Sequence, residues 1–365
     1  MCRLAWLLLV GSSAVTATLV ETPYGEVSGF EHVTPNGKPT HVFLGIRYGQ
    51  SPDVFNRFKK AEIVEKWAPL RHYATTYGAS CIPYHEDYLD GEKNYSEDCL
   101  FLNIITPSIT AKDLPVLVYI HGGGYQFGSV RDLGWEKLAN RVASEGIVVV
   151  TIQYRLGPFG FFSLGDAESP GNLGLWDATL ALHFLQEVLP VFGGAPSRIT
   201  LSGHSAGSSI ASALQFSPSA NSLFDQAFLM SGSALSEYAL SDSVVQESKN
   251  LAKELKCLKE TTEKTLACMR DVTAHDIIIA VDKIGKSRHH TNFLKFQPRL
   301  DGDFFPHSIE RLAKTAGKKR TVAGFTDQES ALFVLQHELE SGLHLTPDEA
   351  GNFTRERLER FISDS

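Results

Sequence analysis

The chain alternates between short, continuous apolar runs and longer stretches whose apolar residues recur at helical spacing. Residues 99–106 (Cys-Leu-Phe-Leu-Asn-Ile-Ile-Thr), 114–120 (Leu-Pro-Val-Leu-Val-Tyr-Ile) and 146–152 (Gly-Ile-Val-Val-Val-Thr-Ile) are the strongest apolar runs. Runs of this length, rich in β-branched residues, read as strands covered on both faces. Residues 135–144, between the second and third runs, have a helical pattern. Residues 177–189 form an amphipathic helix, with Asp177 placed to cap it and Pro190 placed to stop it. Residues 19–29 and 40–46 alternate as short antiparallel strands do, with Pro35-Asn-Gly37 as the turn between them. Further strands are predicted at 199–202, 227–230 and 320–324, and further helices at 208–214, 243–258 and 308–316. This β-α-β-α order predicts one α/β domain built on a mostly parallel central sheet with helices on both faces.

Charge and cysteine content narrow the compartment and the partners. The net charge of −8 comes with no basic block, which argues against a nucleic-acid partner. Arg3, the apolar run Leu4 to Val10 and the small-residue site Val15-Thr-Ala17 have the order of a secretory leader, so residues 1–17 are read as a signal peptide and 18–365 as the domain. Removing that leader takes away Arg3 and no acid, leaving 33 basic and 42 acidic side chains, a net −9. The apolar run is too short for a stable transmembrane anchor, and no later stretch reaches membrane length.

Cys2 lies in the leader, which leaves Cys81, Cys99, Cys257 and Cys268, an even number suited to an oxidising compartment. Of the three connectivities open to four cysteines, the local one, Cys81–Cys99 with Cys257–Cys268, closes two short loops and is preferred. A zinc site competes less well, because neither pair has Cys-x-x-Cys spacing. Asn94-Tyr-Ser96 and Asn352-Phe-Thr354 are glycosylation triplets that fit a secreted surface or the lumen of the secretory pathway.

The candidate chemistry lies in Arg198-Ile-Thr-Leu-Ser-Gly-His-Ser-Ala-Gly-Ser-Ser209. A strand enters Gly203-His204-Ser205-Ala206-Gly207 and a small-residue helix leaves it. Glycine at 203 and 207 removes the Cβ atoms that would clash where strand and helix cross, so Ser205 can stand exposed at the tip. A serine hydroxyl is a weak nucleophile. It needs a base, a carboxylate to orient that base, and N–H donors where negative charge develops on the substrate oxygen. His121-Gly-Gly-Gly124, directly after a predicted strand, fits the donor requirement. Glu329, just past the strand at 320–324, stands where α/β folds place active-site groups, with Asp327 beside it as a rival. Residues 51–95 are irregular and aromatic, with Trp67, Tyr73, Tyr77, Tyr84 and Tyr88. They read either as a surface loop or as the rim of a substrate pocket, which would suit an apolar substrate group.

Together these blocks resemble the type-B carboxylesterase family, the cholinesterase and lipase-like branch of the α/β-hydrolases. The resemblance is carried by Ser96-Glu-Asp-Cys-Leu-Phe-Leu-Asn103, His121-Gly-Gly-Gly-Tyr125, Tyr154-Arg-Leu-Gly-Pro-Phe-Gly160, Pro170-Gly-Asn-Leu-Gly-Leu175, Phe192-Gly-Gly194, Gly203-His-Ser-Ala-Gly207, Ser231-Gly232 and Asp301-Gly302, in order and at similar spacing. It implies Ser205 as nucleophile, the N–H groups of Gly123, Gly124 and Ala206 as an oxyanion hole, and Glu329 as the triad acid. It also implies the same two disulfides, and two-step ester hydrolysis of a small-molecule substrate with no metal or cofactor.

Three departures qualify it. His204 stands before Ser205 where the family usually has Glu. The residues between Cys81 and Cys99 include no tryptophan, whereas cholinesterases carry a cation-binding one there, which disfavours choline esters. The family's catalytic histidine follows the acid far downstream, but the sequence ends at Ser365. His337 and His344, the histidines after Glu329, lie in no matching motif. The expected catalytic histidine is therefore missing from this chain, and the expected fold lacks its C-terminal strands. Two expectations follow: an esterase whose sequence here is incomplete, or a secreted non-catalytic binding or adhesion protein of the same fold.

Overall fold

The computed structural model describes residues 17–52, 56–86, 89, 94–284, 294–329, 354 and 356. The strands are β1 (Ala17–Thr22), β2 (Gly25–Val33), β3 (Pro39–Arg47), β4 (His72–Tyr73), β5 (Ser80–Cys81), β6 (Tyr95–Ser96), β7 (Phe101–Thr106), β8 (Leu114–Ile120), β9 (Val148–Ile152), β10 (Gly194–His204), β11 (Gln226–Met230) and β12 (Arg320–Gly324). The helices are α1 (Trp135–Arg141), α2 (Gly157–Phe161), α3 (Leu173–Val188), α4 (Ala206–Phe216), α5 (Ser243–Glu254), α6 (Thr262–Asp271), α7 (Ala274–Lys283) and α8 (Ile309–Thr315). No described helix is long and apolar enough to cross a membrane.

One mixed sheet carries the fold, in the order β1-β2-β3-β7-β9-β8-β10-β11-β12, with β4 beside β2. The half that holds the predicted site is parallel: β9 pairs with β8, β8 with β10, β10 with β11, and β11 with β12. The other half, from β1 to the β7–β9 pair, is antiparallel along this order. The sheet is therefore more evenly mixed than the expected mostly parallel one. Crossover helices explain the parallel part, since α1, α3, α4 and α8 each lie between successive parallel strands in the chain.

Every residue of β9 is buried, as its continuous apolar run predicts. On one face α3 and α4 pack with Ile199, Leu201, Leu182, Leu185, Ile210 and Leu214 in the large core. On the other face α1 covers a smaller cluster of Val42, Leu44, Ile105, Ala139, Ala143 and Val149. Helices on both faces are what the sequence pattern led us to expect.

Two local expectations differ from the structure. Residues 19–29 form a hairpin rather than one strand, because β1 and β2 pair in register from Ala17↔Phe30 to Thr22↔Gly25 around Pro23 and Tyr24. The amphipathic helix begins at Leu173, four residues before Asp177, so Asp177 caps nothing. It is fully buried, and its carboxylate takes the Nε (2.8 Å), an NH2 (2.7 Å) and the backbone N–H (3.0 Å) of Arg155. Arg155 is itself buried, and its remaining NH1 donates to the Lys59 carbonyl at 2.8 Å. A bidentate pair closed off from water fixes the segment after β9 against α3.

Both disulfides follow the local connectivity, with Cα–Cα distances of 4.9 Å for Cys81–Cys99 and 5.3 Å for Cys257–Cys268, inside the usual range. Asn94 is exposed just before β6, while Asn352 lies outside the described residues, as do residues 1–16 of the predicted leader. Trp67 stacks on Tyr24 at 5.7 Å, and the Tyr77 hydroxyl accepts from the Trp135 N–H, so both of these aromatics take part in packing.

On the β1–β3 side of the sheet two half-buried imidazoles, His41 and His72, are shifted by their surroundings. His72 has its pKa lowered mainly by burial, while its Nε2 meets the Gly45 carbonyl at 2.9 Å. His41 is lowered mainly by burial too. The unfolded chain, at the ordinary histidine value of 6.5, then binds protons more readily than the folded one. Stability is therefore fully present above pH 6.5 and is lost as the pH falls from there toward the depressed folded values. A lower melting temperature at pH 5.5 than at pH 7.5 is expected, with His72→Gln flattening part of the slope. An unchanged slope in that variant removes His72 as a cause.

Candidate active site

The parallel strands end in register, and their ends bring the site together. Gly203 pairs with Ile120, and His204 pairs with Met230, which pairs with Gly324. Hence the segments starting at His121, Ser205, Ser231 and Phe325 all leave the same edge of the sheet. The chain departs from β8 to β9 on one side and returns to β10 on the other, so the β8–β10 crevice is the switch point where α/β sheets bind ligands.

Ser205 occupies the turn between β10 and α4 with φ 54° and ψ −123°, a conformation side chains rarely adopt. Its N–H donates to the Met230 carbonyl at 2.8 Å and its carbonyl accepts from the Ser209 N–H at 3.0 Å, so both backbone groups are held while the side chain stays partly open. The flanking glycines are sterically required. A Cβ on Gly203 would lie 2.2 Å from the Gly207 carbonyl group, and one on Gly207 would lie 2.2 Å from the Ile120 oxygen. Gly203→Ala is expected to cost at least about 1–3 kcal/mol, because the obstacle is backbone and α4 must shift. A thermal melt equal to that of the parent chain sinks this reading.

The glycine loop lies directly against Ser205. A Cβ on Gly122 would be 3.2 Å from the Ser205 Cβ and 2.7 Å from the His204 carbonyl, and Gly123 and Gly124 have φ of 108° and 59°. His121 anchors the start of the loop: its ring stacks on Tyr154 at 4.6 Å, and the Tyr154 hydroxyl donates to the His121 carbonyl at 3.0 Å. Ala206 opens α4 and is fully buried, with its N–H on the helix's first turn beside the glycines.

Glu329 is exposed and sits beyond the end of β12. Its Oε1 accepts from the Thr326 N–H at 2.7 Å, the Ser231 hydroxyl at 2.7 Å and the Thr326 hydroxyl at 3.1 Å. The Thr326 N–H bond first, and then the Ser231 hydroxyl, hold its pKa below the ordinary carboxylate value, with His204 adding a smaller Coulombic pull. Among the described residues none bonds to Oε2. His204 is exposed at the end of β10 while Ser205 turns inward, so adjacent side chains at the elbow diverge. Among the described residues no imidazole hydrogen-bonds to Ser205 or Glu329. His337 and His344 lie outside them.

In the sequence Ser231 stands only within a family-like block, with no role attached to it. Its place one residue past a parallel strand, level with Ser205, was the available signal. Tyr238 gave no signal at all. Its hydroxyl accepts from the Ser209 Oγ at 3.0 Å and donates to the Ser231 carbonyl at 3.4 Å.

A sheet of this order, with a strained serine between strand and helix and a glycine loop on its flank, defines the α/β-hydrolase class. The comparisons give the family. The chain belongs to the carboxylesterase family, whose model matches residues 16–361. It is 37% identical to gut esterase 1 of Caenorhabditis briggsae over 97% of this chain and 62% of that protein. With gut esterase 1 of Caenorhabditis elegans it shares 38% identity over 86% of this chain and 54% of the relative. With the cholinesterase of Mus musculus it shares 33% over 91% and 58%. The chain thus spans a little over half the length of these curated relatives.

Proposed function

We propose that the protein is a secreted serine carboxylic-ester hydrolase that works through an acyl-enzyme on Ser205. The observation that carries this reading is the strained Ser205 turn with the glycine loop packed against its Cβ. In this scheme the Ser205 Oγ attacks the ester carbonyl carbon and gives its proton to an imidazole base, which no described residue supplies. The carbonyl oxygen becomes an oxyanion that accepts hydrogen bonds from the N–H groups of Gly123, Gly124 and Ala206. The C–O bond to the alcohol breaks, the alcohol leaves with the proton from the base, and water then hydrolyses the acyl-Ser205 ester by the same route. Glu329 acts as the acid that orients and stabilises the protonated base, through the Oε2 to which no described residue bonds. Its depressed pKa keeps it anionic well below neutral pH.

The two disulfides and the exposed Asn94 triplet support a secreted or luminal, glycosylated protein. Uncharged esters with an apolar group are favoured over choline esters, because no tryptophan lies between Cys81 and Cys99. Incubation of the chain with a fluorophosphonate probe, followed by peptide mapping, tests the reading. Modification of Ser205 together with turnover of an aryl ester is expected. A folded chain that neither reacts nor hydrolyses leaves the binding-protein alternative.

A further inference from the structure

We propose that Tyr238 is a positioning residue of this site: its phenolic hydroxyl stands between the nucleophile and the acid and holds the two in register. The proposal rests on the ester-hydrolase reading above. Two connections meet at this phenol, and a third runs beside it. On the nucleophile side, Ser209, one turn into α4 and bonded through its N–H to the Ser205 carbonyl, donates its hydroxyl to Tyr238 at 3.0 Å. On the acid side, the phenol donates to the carbonyl of Ser231, whose own hydroxyl donates to Glu329 at 2.7 Å. On the glycine-loop side, the Tyr125 hydroxyl donates to the Ala239 carbonyl at 3.5 Å, and the two tyrosine rings lie 6.4 Å apart.

Close approach is built into the backbone. A Cβ on Gly232 would lie 2.7 Å from the Tyr238 hydroxyl and 2.2 Å from the Ser205 carbonyl, so only glycine there lets the phenol reach the elbow. Burial raises the Tyr238 pKa, and the hydroxyls of Ser209 and Ser205 draw it partly back, while Glu329 pushes it up. The phenol therefore keeps its proton at working pH. It acts as a neutral hydrogen-bonding post that accepts from Ser209 and donates to the Ser231 carbonyl. A group with these partners steadies the Ser205 turn through Ser209 and keeps Ser231 aimed at Glu329 before substrate arrives.

The test compares the full chain with Tyr238→Phe, which removes only the hydroxyl, and with Ser209→Ala, which removes its donor. The readouts are the rate of Ser205 modification by a fluorophosphonate, kcat and KM on an aryl acetate, and the melting temperature. Loss of one neutral hydrogen bond in the transition state is worth about fivefold to tenfold in rate. Tyr238→Phe is therefore expected to lower kcat and the modification rate by about that factor, with KM and the melting temperature little changed. Ser209→Ala is expected to give a smaller loss in the same direction. Parent-like rates in Tyr238→Phe overturn the proposal. Losses that appear in both variants only alongside a drop in melting temperature assign the phenol to packing and overturn it as well. A parent chain that does not react removes the hydrolase reading itself, and this inference with it, whereas a reactive parent and an equally reactive variant remove the inference alone.

Discussion

Ser205→Ala is expected to abolish fluorophosphonate modification and to lower aryl-ester turnover by at least about 10⁴-fold, since the substitution deletes the atom that attacks in the proposed reaction. Catalysis that remained would come from substrate binding and the N–H donors alone, which still favour the oxyanion when water attacks. Folding should be unaffected. The hydrogen bonds that hold this turn run from the Ser205 N–H to Met230 and from Ser209 N–H to the Ser205 carbonyl, and alanine keeps both. The strained φ of 54° is equally strained for alanine, so the variant stores the same backbone energy. The comparison of melts and rates separates chemistry from folding. An unchanged melting temperature with lost turnover supports the assignment, and turnover that survives in Ser205→Ala places the reaction elsewhere.

The largest effect on stability is expected from Asp177→Ala. Both members of the Arg155–Asp177 pair are buried, at 4% and 0% side-chain exposure, so little solvent reaches the guanidinium when its partner goes. The substitution strips Nε, NH2 and the Arg155 backbone N–H of their acceptor together, leaving only the NH1 bond to Lys59. Removing one partner of such a pair costs about 3–5 kcal/mol, because an uncompensated charge stays buried. Denaturant unfolding checks this. Asp177→Asn, which keeps an acceptor oxygen but loses the charge, should fall between the parent chain and Asp177→Ala. A loss below about 1 kcal/mol in Asp177→Ala would falsify the view that this pair anchors α3.

How much was legible in the sequence differs from element to element for physical reasons. β8 at Leu114–Ile120 and β12 at Arg320–Gly324 were bounded to the residue, because apolar or β-branched runs end there at Gly, Pro or charged residues. The start of α3 was misplaced because Asp177 looks like a cap. An acid within a helix and an acid at its end differ only in what faces them, and Arg155 faces this one from twenty-two residues away. The hairpin at β1–β2 was missed because its turn, Pro23-Tyr24, lies inside a continuous alternation. β10 was read as four residues and runs from Gly194 to His204, since its polar ends pair by backbone hydrogen bonds that leave no side-chain signal.

The sequence by itself determined where the strand, turn and helix around Ser205 fall and part of their immediate geometry. Gly207 must be glycine because Ile120 at the end of β8 stands where its Cβ would be, whereas Gly203 must be glycine because the Gly207 backbone lies there, a contact that follows from a strand, a tight turn and a helix within a few residues. Local sterics of this kind do not wait for the rest of the fold. The tertiary structure alone decided what surrounds those residues. That Ser231 and Thr326 hold one oxygen of Glu329 depends on β10, β11 and β12 ending at one level, a consequence of sheet register over more than a hundred residues. That Tyr238 meets Ser209 and Ser231 depends on Gly232 admitting it. Hydrogen bonds between segments distant in the chain are set by packing, and packing sums over the whole core rather than over any one stretch of sequence.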